Sequence, residues 1–205
     1  MKIQFSKKEI LLFISAVLLA TLSMAQSIKP TTNYLGIEGS IIIDGQSFSL
    51  SWSAHPSPNF YKQEYLEKGS PVDKYKTMVL IDVVTGDQDI KAAVTAKINE
   101  LKKMKASNPV INYDVIRNPS TGEYLVDFLL TANEVDGSVS IVEHNVYRYA
   151  LFTDKNGNKG LLLFGISTRG YGTEVDNFLL QVKARRKTVI STIAKYPLPA
   201  ISITQ

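Results

Sequence analysis

Three runs of apolar and β-branched residues occupy positions 122–172, GEYLVDFLLTANEVDGSVSIVEHNVYRYALFTDKNGNKGLLLFGISTRGYG, separated by polar, glycine-bearing stretches at 133–137 and 154–160. That spacing predicts three consecutive antiparallel β-strands joined by turns. In the first, Tyr124, Val126, Phe128 and Leu130 share one face, and Glu123, Leu125, Asp127, Leu129 and Thr131 share the other. One face is therefore apolar and the other mixed. The second strand, 139–153, loses its alternation near Glu143, His144 and Asn145, which predicts a bend or bulge. The third, 161–167, follows an Asn156-Gly157 turn and leads into Thr168-Arg-Gly-Tyr-Gly172.

Upstream, residues 40–52 read as a hairpin whose turn is Asp44-Gly45, a pair that accepts positive φ at both centres. Phe48, Leu50 and Trp52 fall on one face at the two-residue period, which makes Trp52 a core residue. Two prolines within residues 55–59 then interrupt the pattern. Residues 60–69 form a short element of open type, whose Phe60, Tyr61 and Tyr65 are expected either to cover an edge of the sheet or to face a ligand, packing being favoured. Residues 76–84, KTMVLIDVV, read as a central strand broken only by Asp82. Asp87 or Asp89 caps a helix running to about Lys105, with Ile90, Val94, Ile98 and Leu101 on its buried stripe and Lys91, Lys97, Lys102 and Lys103 off it. A strand follows at 110–116. The last helix starts at Thr173, capped by its hydroxyl with Asp176 reaching back, and runs to about Ala194. Its stripe contains Phe178, Val182, Val189 and Ile193, with Arg186 in the middle.

These elements predict one α+β domain over 40–205, a twisted antiparallel sheet with two main helices packed on it. Residues 26–39 read as a flexible lead-in. Residues 1–25 carry Lys2, Lys7 and Lys8, an apolar run, and small residues before Gln26, the layout of a cleaved signal peptide. The expected location is periplasmic or extracellular, with no integral membrane segment after cleavage. No cysteine occurs, which excludes disulfides, thiolate metal sites, a cysteine nucleophile and a lipoprotein anchor. Setting aside three lysines and one glutamate of residues 1–25 leaves 20 basic against 18 acidic residues, no electrostatic case for nucleic acid.

The chemical inventory is thin. His55 and His144 are the two histidines, and neither lies in a His-x-x-x-His or Glu-x-x-His pattern, so no metal or other cofactor is expected. Gly165-Ile-Ser-Thr-Arg lacks the second glycine of a nucleophile elbow, and the glycines at 165, 170 and 172 match no phosphate-binding fingerprint. What stands out is a set of charged or chargeable residues inside apolar elements, at Asp82, Asp127, Glu143, His144, Arg148, Arg169 and Arg186. A buried charge must find a partner or reach water. Arg186 is therefore expected to pair with a carboxylate on a strand, Asp82 or Asp127.

The order of hairpin, strand, helix, antiparallel meander and helix resembles the PsbP-like group of exported or lumenal proteins. The resemblance is carried by KYKTMVLIDVV before the first helix and NVYRYALFTDKNGNKGLLLFGIS before the last. It implies an α/β/α sandwich and a non-catalytic accessory module, and carries over no functional residue. On this reading Tyr147, Arg148, Tyr149, Arg169 and Tyr171 engage a protein or envelope ligand. The rivals are a small hydrolase or isomerase using His144 with Asp127 or Glu143 as acid and base, and a purely structural oligomer.

Overall fold

The computed structural model describes residues 31–134 and 136–203. Strands β1 (Ile41–Ile43), β2 (Gln46–Ser57), β3 (Phe60–Glu67) and β4 (Thr77–Thr85) precede helix α1 (Ile90–Ser107). After it come β5 (Asn112–Arg117), β6 (Tyr124–Asn133), β7 (Val139–Thr153), β8 (Lys159–Tyr171) and helix α2 (Val175–Lys195). All eight strands join one antiparallel sheet in the order β1-β2-β3-β4-β8-β7-β6-β5. Two meanders thus meet where β4 lies against β8, in a register that pairs Val79 with Ile166. Helix α1 crosses from one meander to the far edge of the other.

Because strand side chains alternate, each central strand feeds two cores. Val79, Ile81, Val146, Leu162 and Phe164 pack on one face with Ile193 of α2. Leu80, Phe128, Leu130, Tyr147 and Leu163 pack on the other with Val94 and Leu101 of α1. The helices therefore cover opposite faces of a single domain. Asp89 starts α1 by accepting from the backbone N–H groups of Lys91 and Ala92, two of the donors a helix start leaves open. Asp44 and Gly45 turn β1 into β2 with φ of 49° and 80°, as a two-residue hairpin turn requires.

Several local expectations are corrected. Trp52 does not share the face of Phe48 and Leu50. The ladder pairs Leu50 with Tyr65 and Trp52 with Glu64, so Ser51 is a bulge that reverses the side-chain parity. Trp52 is only half-buried, whereas Phe48 is in the core. Strand β2 also continues through Pro56, because a second irregularity between Ala54 and Ser57 removes the proline from the ladder. The irregularity of β7 lies at its start, opposite Ala132 and Asn133, and not at Glu143 to Asn145. Strand β8 runs on to Tyr171, and a turn of 3₁₀ helix at Gly172–Glu174 precedes α2, which starts without a side-chain cap.

Lys97, expected on the solvated side of α1, is buried. Its ammonium bonds Glu100 at 3.2 Å and sits 4.9 Å from the Phe128 ring centre, and burial holds its pKa below the ordinary lysine value despite Glu100. The expected lead-in is packed from Leu35 onward. Leu35 and Ile37 are buried, and the Ser202 N–H donates to the Leu35 carbonyl at 2.9 Å. The expected leader at 1–25, and residues 26–30, lie outside the described residues.

Candidate functional site: a cleft beneath the last helix

Helix α2 has an apolar stripe, yet only Ile193 of it is fully buried. The helix is held to the sheet at separate points. Near its start Phe178 rests on Gly170 of β8, where a Cβ would approach Phe178 Cβ to 2.5 Å, so the close contact depends on glycine. At its end Arg148 of β7 donates from Nη1 to the carbonyls of Ile193 and Tyr196 at 3.3 and 2.8 Å. These carbonyls belong to the helix end, where acceptors lack intrahelical donors and a cation is favoured. Nε and Nη2 of the same guanidinium each hold Glu123 at 3.0 Å.

Between those anchors the sheet curls up beside the helix. The β1–β2 turn reaches α2, where Thr192 Oγ1 lies 3.5 Å from Asp44 Oδ1, although β1 is the far edge of the sheet. The result is a cleft of about 450 Å³. Ile43, Phe48 and Ile166 line it from the sheet side, and Val182 and Val189 from the helix. Lys76 and Arg185 bring cationic side chains to it, and both residues are exposed. Lys76 is loosely paired with Glu174 at 3.7 Å, a surface contact of little energetic weight.

His144 and Thr168 supply polar groups on the sheet side. His144 Nε2 lies 2.7 Å from Asp127 Oδ1, and both residues are buried. Asp127 Oδ2 accepts from Arg186 Nε, and Arg186 Nη2 reaches Asp114 Oδ2 at 3.2 Å. Asp114 and Asp127 are direct cross-strand partners, an arrangement of like charges that is unfavourable unless a cation bridges it. Arg186 is that cation. Burial opposes its charge, but the two carboxylates outweigh burial and raise its pKa. Placing Arg186 in an otherwise apolar stripe thus gives a chain of groups running from helix to sheet and ending at the histidine.

The opposite face carries a separate polar cluster. Glu143 accepts from Tyr75 Oη at 2.8 Å, Asn145 Nδ2 at 3.0 Å and Arg169 Nε at 2.5 Å. Arg169 also stacks on Tyr75, 4.1 Å from the ring centre, and Tyr171 Oη donates to the Tyr75 carbonyl at 2.8 Å. Asp82 pairs with Lys62 at 3.4 Å, and its carboxyl is pushed up by burial against that partner. Glu64, also on this face, is pushed up to about 7, burial outweighing the attraction of Lys62.

The five residues expected to form one binding surface are therefore divided. Arg148 is on the α2 face and occupied by Glu123 and the helix end. Tyr147 and Tyr149 are buried on the α1 face, and Arg169 and Tyr171 close the cluster around Glu143. Of the two carboxylates considered for Arg186, Asp127 contacts it and Asp82 lies across the sheet. His144 is likewise separated from Glu143, as successive residues of a strand must be, and joined to Asp127. Sequence reasoning missed Asp114, Lys76, Arg185 and Thr168. The signal for Asp114 was the prospect of two acids, Asp114 and Asp127, opposed across β5 and β6, which needs the strand register to see.

Among the described residues no helix is long and apolar enough to cross a membrane, and no cluster of three or more His, Cys, Asp or Glu is placed to hold a metal ion. A family model matches residues 35–198, from the buried Leu35 to just beyond α2, and the chain belongs to that family. No curated protein and no solved structure matches it.

Proposed function

We propose that this member of the family is an exported binding module whose ligand enters the cleft between α2 and the curled sheet. The observation that carries the reading is the cleft itself. A helix with an apolar stripe normally buries it, yet here only Ile193 is fully buried, and the half-buried Val182 and Val189 line the cleft with Phe48 and Ile166. A concave site whose lining mixes apolar side chains with polar and charged ones, Lys76, His144, Thr168 and Arg185 among them, suits a small amphipathic ligand. Export rests on the charge and hydropathy pattern of residues 1–25, and the element order keeps the PsbP-like resemblance as part of the proposal.

The test is emission of anilinonaphthalene sulfonate, an apolar anionic probe, with the full chain and with Val182→Trp, which fills the cleft. Enhancement with the unmutated chain and its loss in the variant support the reading. Equal emission from both sinks it.

A second reading is favoured by one contact. His144 at 2.7 Å from Asp127, on the wall of a cleft, is the arrangement of a general base and its orienting carboxylate. A small hydrolase or isomerase would use Nδ1 of His144 on the substrate, and Glu143 would take no part. Turnover of nitrophenyl esters that disappears in His144→Gln would favour it over simple binding.

A further inference from the structure

We infer that His144 sets the head-group specificity of the cleft, selecting a ligand that donates a hydrogen bond. This rests on the binding reading above and goes beyond it by naming the ligand chemistry. The argument starts at the helix. Arg186 can only donate, so Asp127 Oδ2 accepts, and a carboxylate ion-paired to guanidinium has no proton to give. Asp127 Oδ1 is then also an acceptor, and the atom 2.7 Å away, His144 Nε2, must carry the hydrogen. In a neutral imidazole this leaves Nδ1 with a lone pair.

Nδ1 has no hydrogen-bond partner among the described residues, while the ring lines the cleft. An acceptor on a wall that also carries Thr168 and Ile166, with Val182 and Val189 on the helix side, favours a hydroxyl or amide N–H on a compact, partly apolar body. A ligand with only acceptor atoms would place lone pair against lone pair. Arg186 is thereby a positioning residue, acting on the ligand through Asp127 and His144.

The test uses nitrogen-edited NMR of the histidine side chains of the full chain at pH 8, with His144 distinguished from His55 by a His55→Gln variant. Cyclohexanol and cyclohexanone serve as matched probes. The expected result is a protonated Nε2 and bare Nδ1 at His144, with cyclohexanol binding about fivefold tighter than cyclohexanone, the factor one hydrogen bond of ordinary net strength supplies. In Asp127→Asn, Arg186 takes the amide oxygen, the amide N–H₂ faces Nε2, and the proton moves to Nδ1; both probes can then accept from it, so the preference for the alcohol is lost. A proton on Nδ1 in the unmutated chain overturns the inference, as does equal binding of the two probes within the cleft. Shifts of cleft residues by both probes alike would leave the cleft reading intact. Absence of any cleft shift would overturn the cleft reading, with the histidine spectrum still reporting the tautomer. Should Asp127→Asn fail to fold, the unmutated spectrum and the probe pair decide alone.

Discussion

Arg148 and Tyr196 meet where α2 ends, the guanidinium Nη1 donating to the Tyr196 carbonyl at 2.8 Å. The same side chain holds Glu123, so a single residue of β7 ties the helix end and the start of β6 together. Replacing it leaves helix-end carbonyls and a half-buried carboxylate without their donor. Arg148→Met, which keeps the apolar stem, should lower stability by about 2–4 kcal/mol in urea unfolding. Loss below about 0.5 kcal/mol would mean that the helix end is held by Ile193 packing alone.

Glu143 collects three donors in a buried setting, from Tyr75, Asn145 and Arg169. Glu143→Gln removes the charge facing Arg169 and should cost about 3–5 kcal/mol, because the guanidinium keeps its burial without its partner. Tyr75→Phe removes one donor and should cost only about 1–2 kcal/mol. Both are read from denaturant midpoints at constant slope.

Glu64 gives stability a pH dependence. Its folded-state value of about 7 lies above the ordinary 4.5, so the folded chain binds the proton more tightly than the unfolded chain. Stability contributed by the protonated group is complete below about 4.5 and is lost as pH rises to about 7. The difference amounts to on the order of 2–3 kcal/mol. Glu64→Gln should remove that slope, measured as unfolding free energy at pH 5 and pH 8 for both proteins. Parallel curves would refute it.

Gly170 lets Phe178 of α2 sit directly on β8, since an added Cβ would meet Phe178 Cβ at 2.5 Å. Gly170→Ala should push the helix start outward and cost about 1–3 kcal/mol through overpacking. Amide exchange should quicken over the first two turns of α2 while β4 and β7 stay protected. Unchanged exchange would show that the helix absorbs the methyl group without moving.

The sequence by itself determined what is local. Alternation placed Tyr124, Val126, Phe128 and Leu130 on one face, Asp44-Gly45 closed the hairpin, and Asp89 lay where a helix cap was needed, because each effect acts within a few residues. It also required that Arg186 find a carboxylate, since an isolated charge in an apolar stripe is costly.

Only the tertiary structure decided which partners meet. One extra residue at Ser51 turned Trp52 to the other face, and the register of β5 on β6 set Asp114 beside Asp127 under Arg186. The curl of the sheet brought Asp44 to α2 and opened the cleft, and packing drew Lys97 beneath α1 beside Phe128. These outcomes depend on distances between residues far apart in the chain. Periodicity reports which face a side chain takes, and only the packed sheet reports what stands opposite that face.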